Sequence, residues 1–125
     1  MFDIEKMSKT LENVKIRTSD ITGAVLISNE GLPILTPKSQ KIDENMVAAI
    51  CATLVNIGER VTESLNKGIF NLLFISGKEG YVIISRVNQE MLLSILAKQG
   101  ARIGVVLYEI EKTKEELNKI VTAAA

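Results

Sequence analysis

The stretch DENMVAAICATLVNIGERVTESLNKG, residues 43–68, decides the fold. It reads as one long helix with defined ends. Asp43 is a good N-cap, because its carboxylate can accept from the free N–H groups of the first turn. Ile42 and Val47 are spaced as a hydrophobic staple. Lys67 sits in the expected last turn, and Gly68 falls where a left-handed residue ends a helix. About 24 proline-free residues lie between, roughly 36 Å at the helical rise. At about 100° per residue, Met46, Val47, Ile50, Leu54, Ile57, Val61 and Leu65 share one stripe, expected to bury against the protein's own core. Ala48, Cys51, Val55, Gly58 and Thr62 form a second strip beside it, small or apolar, suited to the close approach of another backbone. The remaining face carries Asn45, Ala49, Ala52, Asn56, Glu59, Glu63 and Lys67. A wide core face would account for both strips. A stripe plus a flank also fits a second helix packed alongside, and on that reading the flank is a seam between two copies.

Outward from this helix the chain alternates short elements. Asp3 can cap a first helix with Ile4, Met7, Leu11 and Val14 on one face, ending near Lys15. Ile21 to Ser28 is apolar and β-branched, a strand whose Gly23 suggests a bulge or close approach. Asn29-Glu30-Gly31 is a tight turn. Leu32 to Thr36 returns as an edge strand, because Pro33 cannot donate to a ladder. Pro37 to Lys41 is a polar loop. Ile69 to Ser76 and Tyr81 to Val87 are strands around the loop Gly77-Lys78-Glu79-Gly80, each apolar on both faces and so needing cover on both. Met91 to Ala97 fits strand or helix, and its shortness favours a strand. Ala101 to Val121 is the last helix, with Ile103, Leu107, Ile110, Leu117 and Val121 buried. Its Gly104 suggests close packing. Lys112–Glu116 and Glu115–Lys119 are spaced for ion pairs on its outer side. The order is α-β-β-α-β-β-β-α. This is an α+β domain in which a largely antiparallel five-stranded sheet is sandwiched by helices, the long helix on one face and the terminal helices on the other.

Composition removes several functions. A chain of 125 residues makes one domain with a proper core. Fifteen basic and fifteen acidic side chains cancel, and aromatic residues are 4%, so the field and the stacking surfaces of a nucleic-acid binder are absent. The sequence has no apolar run of spanning length and no basic-then-apolar start at Met1 to Lys6, so neither membrane insertion nor a secretory signal is expected. It has no histidine, which excludes the common zinc sites and His-based triads. The single Cys51 points to a reducing, cytoplasmic compartment. Cys51 would face its own copy if the seam lies there, but a buried thiol acting as a small hydrophobe is the simpler reading.

Candidate chemistry is correspondingly thin. Gly77-Lys78-Glu79-Gly80 lacks the hydroxyl residue and the following helix of a phosphate loop, and reads as a hairpin turn. Glu59 and Glu63 are one turn apart on the wet side of the long helix, where a solvated surface is commoner than an acid–base pair. Arg60 is the arginine best placed to reach another protein's active site, yet nothing around it is tuned for catalysis. Neither an enzyme nor a cofactor is expected.

The stretch Ile21-Thr22-Gly23-Ala24-Val25-Leu26-Ile27-Ser28-Asn29-Glu30-Gly31-Leu32-Pro33-Ile34, the long helix, the hairpin Phe70 to Val87, and Met91-Leu92-Leu93-Ser94-Ile95-Leu96 through Gly104 carry a resemblance. In order and spacing the chain resembles the roadblock/dynein light chain family, including its stand-alone prokaryotic members. The resemblance implies a profilin-like sheet. It also implies a homodimer with third strands paired across a two-fold axis and long helices side by side. In this chain that would place Phe70, Leu72 and Phe74 at the interface with Ala48, Cys51, Val55, Gly58 and Thr62. It further implies a noncatalytic regulator or scaffold for a small Ras-like GTPase, docking on a platform of Ala49, Ala52, Asn56, Glu59, Arg60 and Glu63. An adaptor subunit without a GTPase, and a sensing module with a pocket between sheet and helix, are the alternatives.

Overall fold

The computed structural model describes residues 3–36 and 43–124. Ile42, the expected staple partner of Val47, and the expected loop Pro37 to Lys41 lie outside the described residues. The elements are α1 (Ile4–Arg17), β1 (Ile21–Ser28), β2 (Pro33–Leu35), α2 (Glu44–Ser64), β3 (Leu72–Gly77), β4 (Gly80–Arg86), β5 (Met91–Lys98) and α3 (Ile103–Ala124). This is the order expected from the sequence.

The strands form one antiparallel sheet in the order β2-β1-β5-β4-β3. The ambiguous Met91 segment is its central strand, and Met91 to Ile95 are buried on both faces. That double burial explains a run without alternation. Pro33 sits on the β2 edge, and the register slips between Ile21 and Gly23, a bulge at the glycine. The hairpin is tighter than expected. Gly77 pairs with Gly80, leaving Lys78 and Glu79 as the turn. Gly80 has φ +151°, and a Cβ there would run into the Ala97 carbonyl.

Two clusters fill the two faces. Met7, Leu11 and Val14 of α1 and Val106, Ile110 and Leu117 of α3 pack on Ala24, Leu26, Ile83, Leu93 and Ile95. On the other face Ala48, Cys51, Ala52 and Val55 of α2 pack on Val25, Ile27, Ile84 and Leu92. Ile4 stays exposed, and α1 runs on to Arg17. The buried row of α3 is rotated from the expected one: Val106, Ile110, Thr113 and Leu117 are buried, while Ile103, Leu107 and Val121 are only half-buried.

The rotation of α3 follows from polar ties. Buried Glu109 accepts from Arg17 Nε at 2.7 Å, joining α3 to α1. Buried Asp20 accepts from the Arg102 backbone N–H at 3.0 Å and from its Nε at 2.8 Å, fixing the start of the helix. Glu116 lies 3.8 Å from Arg17, a longer-range pairing than the expected one with Lys112. A Cβ on Gly104 would meet nothing within 4 Å, so the close packing expected there is absent.

Candidate functional site

The ends of α2 are set by local chemistry. Asp43 caps the helix, its Oδ1 accepting from the Met46 N–H at 3.2 Å. The helix stops earlier than the glycine suggested. Asn66 takes the left-handed conformation at φ 58°, with Lys67 N donating to Thr62 O and Asn66 N to Glu63 O. This is the paired bonding of a Schellman ending, with asparagine in the usual glycine position. Lys67 therefore lies beyond the helix, and Gly68, φ +86°, turns the chain that follows.

The two strips of α2 hold each other's expected places. Ala48, Cys51 and Val55, expected at a seam between copies, are buried on their own sheet, with Ala52 beside them. Gly58 and Thr62 are half-buried. The stripe expected inside faces out: Met46 is 54% exposed, Ile50 50%, Ile57 53%, Val61 49% and Leu65 65%, while Val47 and Leu54 are half-buried. The cause is volume. The sheet face under α2 already carries large side chains from β1, β4 and β5, so the helix can approach only with its small ones. Phe70 fills the gap at Gly58, where a Cβ would come 2.6 Å from its ring.

The remaining candidates divide. Phe70, expected at the interface, is buried within the chain, and Leu72 is half-buried. Phe74 is 39% exposed on β3, which forms the free edge beside β4. Ile75 of the same strand is equally exposed, a residue the sequence reading did not single out. Phe74 and Ile75 point to opposite faces of the strand, so an edge strand apolar on both faces leaves side chains partly uncovered on each. Of the platform residues, Ala49, Asn56, Arg60 and Glu63 are exposed. Ala52 is buried near Gly31, whose added Cβ would stand 3.4 Å from that of Ala52.

Glu59 is tied down instead of free. Its Oε1 accepts from Arg86 Nη2 at 3.1 Å, and the same nitrogen donates to Asn29 Oδ1 at 3.0 Å. Arg86 Nη1 donates to the carbonyls of Asn88 and Gln89. One guanidinium thus joins α2 to the turns at one end of the sheet. Burial pushes the Cys51 thiol up from its ordinary value, with the nearby Ser94 hydroxyl a smaller opposing influence. A thiol kept protonated is a poor nucleophile. Among the described residues no group of three or more His, Cys, Asp or Glu side chains could hold a metal ion, and no helix is long and apolar enough to cross a membrane.

The site is therefore a surface: an apolar stripe on α2, a polar band of Ala49, Asn56 and Arg60 beside it, and an open strand edge. Solved structures share the architecture. MglB from Myxococcus xanthus superposes with a TM-score of 0.87 at 19% identity, covering 97% of this chain and 98% of that one. A Roadblock/LC7 domain from Streptomyces avermitilis gives 0.84 at 18%, covering 92% and 97%. The gliding protein MglB from Thermus thermophilus gives 0.82 at 17%, covering 94% and 89%. No curated protein matches the sequence. The model of the Roadblock/LC7 domain matches residues 7–97, from within α1 to the end of β5, and the chain belongs to that family.

Proposed function

We propose that this protein is a homodimeric scaffold that binds a small Ras-like GTPase and modulates it by contact. The carrying observation is the outward apolar stripe of α2. Five large aliphatic side chains spread over about 28 Å of chain are about half exposed or more. A patch of that kind marks an interaction surface. The spacing of Met46, Ile50, Ile57, Val61 and Leu65 keeps them on one line, suited to an antiparallel copy of the same helix. The free edge of β3, with Phe74 and Ile75, is open to strand pairing alongside.

The second copy takes the stripe, and the GTPase takes the neighbouring band of Ala49, Asn56 and Arg60. Family membership supports a GTPase-associated role, and the protein works without a catalytic group of its own. Two measurements test this. Light scattering should give twice the chain mass. A Ras-like GTPase from the same cell should bind in a nucleotide-dependent way, and Asn56→Glu with Arg60→Glu should abolish that binding while leaving the mass unchanged. Unchanged binding by the double variant rejects the platform.

A further inference from the structure

We infer that Arg86 is a positioning residue for the docking face of α2. Acting through Glu59, its guanidinium sets how the helix is rolled on the sheet, and so how Ala49, Asn56 and Arg60 are presented to the partner. The inference rests on the docking reading for the identity of that partner.

The contact between α2 and the sheet is made largely by small side chains. Ala48, Cys51 and Ala52, with Val55, pack on Val25, Ile27, Ile84 and Leu92. Short side chains make shallow ridges, which bring a helix close but resist its rolling only weakly. A directional tie is supplied by Glu59, whose Oε1 accepts from Arg86 Nη2 at 3.1 Å. Among the described residues this is the one salt bridge that α2 makes.

The other end of the tie is braced. Arg86 closes β4, and its guanidinium also donates to Asn29 Oδ1 at 3.0 Å and to the carbonyls of Asn88 and Gln89 at 3.2 and 3.4 Å. The Asn29 N–H donates in turn to Glu90 O at 2.9 Å, so the two turns are bonded to each other as well. Arg86 Nε is buried without a hydrogen-bond partner, a cost that a residue serving only to fill space would not carry. The Arg86 side chain is 19% exposed, so it works from beneath the surface instead of meeting the partner itself.

Helix geometry carries the effect to the docking face. At about 100° per residue, Ala49, Asn56 and Arg60 lie roughly 60–100° around α2 from Glu59. At a side-chain radius of about 5–6 Å, a roll of about 10° carries each of them about 1 Å.

Two measurements test this. In amide NMR spectra of the assembled protein without a partner, Arg86→Met should shift the signals of Ala49 and Asn56 along with those of Asn29 and Glu59. Shifts confined to Asn29, Glu59, Asn88, Gln89 and their chain neighbours overturn the positioning role. With the GTPase, Glu59→Ala should weaken binding at least about threefold while the melting temperature stays near the parent's, and Arg86→Met should weaken it roughly threefold to thirtyfold. The double variant should bind no worse than Arg86→Met, because both changes cut the same tie. Parental affinity in Glu59→Ala, or losses that multiply in the double variant, overturn the proposal. Asn56→Glu with Arg60→Glu reports separately on the docking reading. Binding lost in that variant but parental in Arg86→Met would reject the positioning role alone, whereas binding kept in it rejects the docking face itself.

Discussion

Phe70 rests against the bare backbone of Gly58, at a spot where a Cβ would come 2.6 Å from its ring carbon Cε1 and 3.0 Å from Cδ1. Phe70 is buried, so the ring has little room to yield. In an exposed helix, glycine to alanine stabilises by up to about 1 kcal/mol. Here the sign reverses: overpacking costs about 1–3 kcal/mol. Gly58→Ala should lower the melting temperature, whereas Gly104→Ala in the open first turn of α3 should hold or raise it. Thermal melts of the two variants beside the parent decide this, and a stabilised Gly58→Ala would show that Phe70 is loosely held.

In the proposed homodimer, assembly is the property of α2 most sensitive to a charge placed on the apolar stripe. Ile57→Lys or Val61→Lys introduces a charge that a lone subunit tolerates, since both positions are about half exposed. Surface changes of that kind usually stay within about 0.5 kcal/mol. Between two copies the same charge would be buried without a partner, at a cost of several kcal/mol. Each variant should give the single-chain mass by light scattering while keeping its circular dichroism. A retained dimer would move the interface off this stripe.

How much of this was legible in the sequence depends on what each residue had to satisfy. Caps and turns are local, so Asp43, Asp3 and the Asn29–Gly31 turn were readable. Strand order within the sheet was not, because pairing of β1 with β5 joins segments about 70 residues apart. The facing of α2 misled for a physical reason. Hydrophobic periodicity reports which residues are apolar, and α2 carries two apolar faces, one buried on the sheet and one exposed. Size then decides which goes inward. The β1, β4 and β5 side chains leave room for Ala48, Cys51 and Val55 and no room for Ile57 or Leu65. Arg86 was visible only as one arginine among four, since its partners come from α2 and from two separate turns of the chain.

Asp20 gives the stability a pH dependence. Its carboxyl is held below the ordinary aspartate value, chiefly by the hydrogen bond from the Arg102 side chain and then by that from the Arg102 backbone. A depressed carboxyl stabilises the fold above its unfolded-state pKa, about 3.9, and that contribution is lost as pH falls through the lower folded-state value. Asp20→Asn should therefore lower the melting temperature at pH 7, and the gap to the parent should close as the pH drops below about 3.9. A gap independent of pH would assign the effect to packing.

Cys51 is predicted to be inert while α2 is seated. Burial keeps the thiol protonated and out of reach of reagents. Disulfide-exchange reagents should label it slowly in buffer and fully, once per chain, in denaturant. Fast native labelling would mean that α2 lifts from the sheet readily.

Removing Arg86 should cost more than removing its ionic partner. Glu59 is half-buried with a side chain 42% exposed, so the ion pair itself is worth at most about 1 kcal/mol. Glu59→Gln should change stability little. Arg86→Met also removes three further hydrogen bonds, to Asn29 and to the carbonyls of Asn88 and Gln89, each worth about 0.5–1.5 kcal/mol net. The double variant should then resemble Arg86→Met alone, because once the guanidinium is gone Glu59 has nothing further to lose. Denaturant melts of the two single variants and the double give the coupling directly. Equal costs for the two single changes would mean that the ion pair, and not the tying of the turns, is what Arg86 contributes.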